Sequence, residues 1–119
     1  MGGQSILLLH TLGRKSGKNY TTSLSYYRDG YAYLVVASNW GKENQPGWFY
    51  NLMKHPHTTI QVAAKSMAVD AHQAQGVEYR RLWELVTLHN RQYIHYQKGL
   101  KRQIPIMILT PITPIQDVV

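Results

Sequence analysis

The apolar, aromatic and β-branched residues of the chain fall into short runs that are separated by turn-forming residues. Runs of this length and composition predict β-strands. Six such runs occur: residues 6–11, 20–28, 31–37, 58–64, 67–74 and 104–110. Asp29-Gly30 separates the second run from the third, and an Asp-Gly pair in that position favours a tight β-hairpin. Lys65-Ser66 predicts another turn, between the fourth and fifth runs.

Two stretches have the spacing of amphipathic helices. Residues 46–53 begin with a proline, which fits the first turn of a helix, and large apolar side chains then recur at i,i+4. His55-Pro56 ends this helix, because proline cannot continue it. Residues 77–88 predict a longer helix with one apolar side, and residues 91–98 predict one or two further helical turns.

The predicted order of elements is β-β-β-α-β-β-α-β. Consecutive strands are joined by short turns, so the sheet should be mostly antiparallel. Few helices and many short strands predict an α+β fold that is mainly β, a small barrel with two or three helices packed on it. A doubly wound nucleotide-binding fold is disfavoured, because strands and helices do not alternate one by one.

Length and cysteine content narrow the class of protein. At 119 residues the chain fits one domain, predicted to span residues 1–119. It has no run of eighteen apolar residues and no leader with a basic and an apolar part, so we expect neither a transmembrane segment nor a secretory signal. Cysteine is absent, which excludes disulfides and thiolate sites, so the expected location is cytoplasmic.

The charge balance adds a candidate binding site. Thirteen Lys and Arg residues against six Asp and Glu give a formal net charge of +7, which favours an anionic ligand. Arg14, Lys15 and Lys18 crowd the segment GRKSGK, with Ser16 between them. This segment has one residue too few between its glycines for a Walker loop, and Asn19 replaces the required Ser or Thr. An anion-binding loop and a solvated hairpin loop both stay open.

Histidines and aromatic residues are the other candidates for site chemistry. The six histidines show neither HExxH nor His-x-x-x-His spacing, so no metal site is predicted. If residues 89–97 stay helical, His89, Tyr93 and Tyr96 share one face. That face could cover a flat ring and offer hydroxyl donors, although packing is the commoner reason for an aromatic stripe. Trp40 lies in a polar loop and is a candidate pocket wall.

Five segments, taken in order, carry a family resemblance. They are LLLHTLGRKSGK (7–18), YYRDGYAYLVVAS (26–38), P-x-W-[FY]-x-N-L (46–52) with its following HP, IQV (60–62) and YQKGLKRQIPIMILTP (96–111). Together they resemble the deazaflavin-dependent nitroreductase family, which consists of split-β-barrel enzymes that use coenzyme F420. The resemblance therefore implies a split barrel and an F420-dependent oxidoreductase.

The resemblance also implies roles for the matching positions. The GRKSG segment contacts the phosphate and the acidic tail of the cofactor, the segment that ends near Ser38 runs along the deazaflavin ring, and the helix from Trp48 packs beside it. The implied cofactor-binding residues are Arg14, Lys15, Ser16, Lys18, Ala37, Ser38, Asn39 and Trp48. Late tyrosines line the substrate side in the family. The predicted catalytic residues are Tyr93, Tyr96 and Ser38.

The chain departs from the family pattern at three places. Tyr20 stands where members often carry a basic residue. Asn39-Trp40-Gly41 stands where they commonly have a basic residue and two glycines, although Lys18 and Lys42 could supply the missing charge. The chain also starts at the first barrel strand, without the longer N-terminal extension of many members, which can help to close the substrate pocket or reach a membrane, so the resemblance implies neither property here.

A deazaflavin carries hydride, so the protein has to hold its ring against an electrophile and exclude water. A small acceptor such as a nitroarene, an enone or a quinone then develops negative charge on oxygen, which needs a hydrogen-bond donor and a proton.

FMN is the alternative cofactor, because its tail needs fewer cations. A non-enzymatic nucleic-acid-binding barrel is disfavoured, because the cations do not alternate with aromatics along the strands. A homodimer is one option for the assembly.

Overall fold

The structure is a computed structural model that describes residues 5–112. Its seven strands are Ile6–Leu12 (β1), Asn19–Ser25 (β2), Tyr27–Asp29 (β3), Ala32–Val36 (β4), His57–Val62 (β5), Lys65–Gln73 (β6) and Ile106–Pro111 (β7). Its three α-helices are Gly47–Lys54 (α1), Gly76–His89 (α2) and Gln92–Lys98 (α3). A 3-10 turn covers Asn39–Gly41. No helix within the described range is long and apolar enough to cross a membrane.

All strands belong to one sheet, in the order β2-β1-β5-β6-β7-β4-β3, and every neighbouring pair is antiparallel. The two edge strands, β2 and β3, are separated in sequence only by Tyr26. Two peptide units span at most about 7 Å, so the two edges must lie side by side and the sheet must curl. Because β2 and β3 do not pair, the barrel remains split at this position. The predicted mainly-β antiparallel split barrel with packed helices is confirmed.

The core has two parts, one on each face of the curled sheet. Along β4, Tyr33 and Val35 belong to the part that includes α1, whereas Leu34 and Val36 belong to the part that packs under α2 and α3. Strand β7 divides its side chains in the same way. Since successive side chains of a strand point to opposite faces, β4 and β7 are covered on both sides, which explains their nearly continuous apolar sequences.

Three predicted boundaries were wrong in detail. Residues 20–28 do not form one strand, because the chain passes from one sheet edge to the other at Tyr26. Asp29 pairs with Ala32, so the hairpin turn is Gly30-Tyr31 and not Asp29-Gly30, with Gly30 at φ 60°. Val62 pairs with Lys65, so the other turn consists of two alanines instead of Lys65-Ser66. In both hairpins the strand pairing places the turn one or two residues before or after the dipeptide that local turn preference favours.

The hydroxyl of Tyr79 provides a test of how α2 is attached to the segment before β7. Tyr79 is 8% exposed, and its Oη donates a hydrogen bond of 2.5 Å to the carbonyl of Ile104. Tyr79→Phe leaves this carbonyl without its partner, so the free energy of unfolding should fall by about 1–2 kcal/mol at neutral pH. Urea unfolding monitored by circular dichroism measures this loss of stability.

Burial of the same hydroxyl gives the effect a pH dependence. Burial raises the pKa of Tyr79 from 10.0 to about 12. The stabilisation is therefore complete below pH 10 and is lost as the pH rises toward 12, because the unfolded chain ionises first. The difference between wild type and Tyr79→Phe should shrink over this interval. Tyr31→Phe is the control, since Tyr31 is 87% exposed. Equal stability of Tyr79→Phe and wild type at pH 7 would contradict the assignment.

Candidate functional site

The cationic segment of residues 13–18 forms the connection between β1 and β2. It is a tight turn, closed by hydrogen bonds from Gly13 N to Lys18 O (2.7 Å) and from Gly17 N to Gly13 O (2.9 Å). A Cβ on Gly13 would lie 2.6 Å from Ser16 Oγ and 2.9 Å from Tyr20 Cε2, and Gly17 has φ 72°. Both glycines are therefore required by the geometry of the turn.

Asn51 of α1 attaches this turn to the barrel. Its Oδ1 accepts hydrogen bonds from the backbone N and from Nη1 of Arg14, both 3.1 Å long, and its Nδ2 donates to Thr11 Oγ1 at 3.3 Å. Lys54 Nζ donates to the carbonyl of Arg14 at 3.2 Å. Sequence reasoning gave Asn51 no role. The available signal was an asparagine on an otherwise apolar helix face, since Asn51 is only 6% exposed.

A cavity of about 340 Å³, the cationic cavity, opens between this turn and α1. Its lining includes Arg14, Lys15, Ser16, Tyr20, Trp48 and Asn51. Three of the predicted cofactor-binding residues of the turn are thus brought together. Lys18 is not part of the lining, and its backbone N donates to Ser16 Oγ at 3.1 Å. Within the described chain no acidic residue lines this cavity, so its electrostatic field favours an anion.

A second cavity of about 520 Å³, the aromatic cavity, lies beside the first. Its lining includes Thr22, Ser38, Asn39, Trp40, Tyr93 and Tyr96. The two cavities share Thr22 and Trp48, and they therefore adjoin. The second cavity contains all three predicted catalytic residues. Ala37 lines neither cavity, because its side chain is fully buried in the core.

One wall of the aromatic cavity is an unusual backbone turn. Asn39, Trp40 and Gly41 have φ values of 48°, 60° and 81°, so three consecutive residues are left-handed. Such angles are unfavourable for the two residues that carry a Cβ. A Cβ on Gly41 would lie 2.8 Å from Tyr96 Cδ1, so the glycine permits close contact with α3. The turn presents the Trp40 side chain at the cavity mouth, where it is 79% exposed.

A second wall of the aromatic cavity carries the two tyrosines of α3. Helix α2 ends at His89, and Asn90 is extended, with φ −145° and ψ 97°. The predicted continuous face of His89, Tyr93 and Tyr96 is therefore interrupted, although both tyrosines still line the cavity. His89 Nδ1 instead lies 3.0 Å from the carbonyl of Leu85.

Tyr93 is held by a hydroxyl partner that sequence reasoning missed. Its Oη lies 3.0 Å from Tyr27 Oη, and the two rings meet edge to face with centroids 6.2 Å apart. Burial, together with this hydrogen bond, raises the pKa of the Tyr93 hydroxyl far above its usual value. Tyr93 therefore stays protonated at neutral pH and is available as a hydrogen-bond donor.

The two cavities together have the chemistry of a site for a flat ring with an anionic tail. The cationic cavity offers cations and a hydroxyl to the tail, and the aromatic cavity offers an indole, phenol rings and hydroxyl donors to the ring. Such an arrangement can orient a ring, exclude water and hydrogen-bond an oxygen that gains negative charge.

Comparison with known proteins shows the family of the chain. The family model described as F420H(2)-dependent quinone reductase matches residues 1–111. The F420H(2)-dependent quinone reductase of Mycobacterium tuberculosis (strain H37Rv) is 44% identical over 112 residues, which cover 92% of this chain and 75% of the relative.

Two solved structures have the same fold. An F420-H2 dependent reductase (FDR-A) superposes with a TM-score of 0.80 and 30% identity, over 88% of this chain and 93% of that one. A structure described as a domain-swapped dimer gives the same TM-score and identity, over 88% and 79% of the two chains. The match of the family model to nearly the whole described chain, supported by the mycobacterial relative, shows that this protein belongs to the F420H(2)-dependent quinone reductase family.

Proposed function

We propose that this protein is an oxidoreductase that uses reduced F420 to reduce a quinone. The observation that carries the proposal is that the cationic cavity adjoins the aromatic cavity, since Thr22 and Trp48 line both. F420 combines an anionic tail with a flat deazaflavin ring, and when bound it supplies a hydride. The two cavities match these two parts in charge and in shape.

The cationic cavity suits the phosphate and acidic tail of the cofactor. Arg14 and Lys15 would form charge-assisted hydrogen bonds to its oxygens, and the Ser16 hydroxyl would donate another. Asn51 fixes the direction of Arg14 before the ligand arrives, so little ordering is required on binding. Tyr20 replaces a cation of the family pattern, and its ring lies in the lining of this cavity.

The aromatic cavity suits the deazaflavin ring and the acceptor. Trp48 lines both cavities, while Ser38 and Asn39 line the aromatic cavity alone. Trp40 would cover the mouth and reduce the access of water. One hydride and one proton convert a quinone into a hydroquinone, so the protein has only to orient the acceptor and stabilise the charge on its oxygen.

The hydroxyls of Tyr93, Tyr96 and Ser38 are the proposed donors to that oxygen. Either hydroxyl of the Tyr27–Tyr93 pair can donate to the other, and Tyr93 can donate to the acceptor when Tyr27 is the donor within the pair. Its high pKa makes Tyr93 a stabilising donor, so the proton that completes the reaction is better supplied by water.

Several finer assignments stay predictions. Nitroarenes and enones develop negative charge on oxygen as quinones do, so the same donors would serve them. FMN is a secondary candidate cofactor, and titration with F420 and with FMN, followed by fluorescence, separates the two. Nucleic acid is not an expected partner. A cytoplasmic location is expected and a homodimer is one option for the assembly, but neither is needed by the proposed mechanism.

The affinity for F420 should depend on the cations of the turn of residues 13–18, because they would bind the anionic end of the cofactor. Replacing Arg14 and Lys15 together by glutamine should weaken F420 binding by at least tenfold, on the order of 1.5–3 kcal/mol per lost charge-assisted hydrogen bond. Wild-type binding should also weaken with added salt. The control replaces Lys65 and Arg80 by glutamine, which removes the same charge elsewhere. Unchanged affinity in the Arg14/Lys15 variant would place the anion elsewhere, with Lys42 and Lys101 as the next residues to replace.

Trp40 should control which acceptors enter. Trp40→Gly removes an indole that is 79% exposed and places glycine at φ 60°, where it is unstrained. We therefore expect the thermal midpoint to change little and the KM for a bulky quinone to fall relative to that for a small one. Differential scanning fluorimetry and steady-state kinetics measure the two effects. A large loss of thermal stability would show that the indole packs against the protein.

The tyrosine hydroxyls should affect turnover more than cofactor affinity. Tyr93→Phe and Tyr96→Phe keep both rings, so a role in packing alone predicts little change. Stabilisation of the developing anion predicts a loss of roughly tenfold to a hundredfold in kcat per hydroxyl, about 1.4–2.7 kcal/mol. Tyr93 should have the larger effect, because it has an orienting partner. Full activity in both single variants and in the double variant would refute the assignment.

A further inference from the structure

Arg102 lies between α3 and β7 and takes no part in the mechanism proposed above. Its guanidinium reaches the loop of residues 37–45, where it donates five hydrogen bonds. Nη1 donates to Ala37 O (3.2 Å) and Gln45 Oε1 (2.9 Å), and Nη2 donates to Ser38 O (2.9 Å) and Lys42 O (2.7 Å). Nε also donates to Lys42 O, at 3.1 Å. All three guanidinium nitrogens therefore donate hydrogen bonds to the same loop.

This loop has a particular need for support from outside. It contains the left-handed turn, whose backbone hydrogen bonds run from Gly41 N to Ser38 O and from Lys42 N to Asn39 O, both 3.0 Å. Within the loop, Asn39 Nδ2 also donates to Asn44 O at 2.8 Å. These few local bonds offer little to offset two unfavourable φ angles at non-glycine residues. The carbonyls of Ser38 and Lys42 bracket the turn, and Arg102 binds both.

Arg102 is itself fixed to α3. Gln97 Nε2 donates to the carbonyl of Arg102 at 2.8 Å, and Gln97 Oε1 accepts from Ile104 N at 2.8 Å. A second link runs from Lys101 N to Glu43 Oε2, at 3.2 Å. The loop that carries Ser38 and Trp40 is thus connected to the helix that carries the two tyrosines.

We propose that Arg102 is a positioning residue for the reaction, which sets the separation of the two walls of the aromatic cavity. It holds Ser38 and the left-handed turn against α3, with Gly41 in contact with the Tyr96 ring. Lysine could not replace it, because a single ammonium group cannot reach carbonyls on both sides of the turn as a planar fork does. The kinetic part of this inference rests on the proposed function, whereas the holding of the loop does not.

The test compares Arg102→Ala, Arg102→Gln and Arg102→Lys with wild type. Arg80→Ala is the matched control, because Arg80 is an exposed arginine on α2. Four quantities are measured: hydrogen exchange of peptides that cover residues 38–45, the thermal midpoint, the dissociation constant for F420, and kcat and KM with a water-soluble benzoquinone. Assays of Arg102→Ala are repeated with a few millimolar guanidinium chloride.

In the Arg102 variants, exchange in residues 38–45 should rise at least tenfold, while the rest of the chain exchanges as in wild type. The kcat should fall about tenfold to a hundredfold, and the dissociation constant for F420 should change by a smaller factor than kcat, because the cationic cavity that would hold the tail is untouched. Arg102→Lys should resemble Arg102→Ala. Guanidinium should restore part of the activity of Arg102→Ala and leave Arg80→Ala unchanged.

Wild-type exchange and kcat in all three Arg102 variants would overturn the proposal. So would exchange that rises throughout the chain, with kcat and F420 affinity falling together and no rescue by guanidinium, because that pattern indicates a purely structural role. If wild type binds F420 but does not reduce the quinone, the proposed function fails instead. The exchange of residues 38–45 then still decides whether Arg102 holds the loop. If Arg102→Ala does not fold, Arg102→Gln and Arg102→Lys provide the same readouts.

Discussion

The single residue between β2 and β3 is the constraint on which the rest of the structure depends. Tyr26 joins two strands that occupy opposite edges of a seven-stranded sheet. One residue can bridge only a short distance, so the sheet must curl until these two edges lie side by side. The edges meet without pairing, and the aromatic cavity forms at this seam. Its walls accordingly come from β2, from the residues that follow β4, and from α3, which are distant in sequence.

The sequence predicted the elements better than it predicted their arrangement. Strand and helix patterns are local, and they indicated a mainly-β antiparallel barrel with packed helices. The break at Tyr26 could not be seen, because a run that changes edges keeps the same β-branched composition on both sides. Turn positions were one or two residues off for a related reason. The pairing of Asp29 with Ala32 is set by which side chains of β4 face each core, and a turn dipeptide carries no information on this.

The same distinction applies to the site. Arg14, Lys15 and Ser16 could be predicted together because they are neighbours in sequence. The residues that orient the site could not, because each acts on a partner far along the chain: Asn51 on Arg14, 37 positions away; Tyr27 on Tyr93, 66 away; Arg102 on Lys42, 60 away. An asparagine, a tyrosine and an arginine are ordinary residues until the fold supplies such a partner.

The division of the site between two parts of the barrel has a consequence for divergence within the family. The cationic cavity is built by the β1–β2 hairpin and α1. The aromatic cavity, where the acceptor is proposed to bind, has walls from the turn of residues 39–41 and from α3. Asn51 lines only the cationic cavity and Trp40 only the aromatic cavity, and substitutions at residues without shared contacts tend to act independently. Selection could therefore change acceptor preference through Trp40 and its neighbours while the cofactor anchor around Asn51 stays the same. The cofactor anchor and the acceptor-binding residues are thus separate parts of the barrel. Engineering for new acceptors should therefore begin with Trp40 and its neighbours in the turn of residues 39–41.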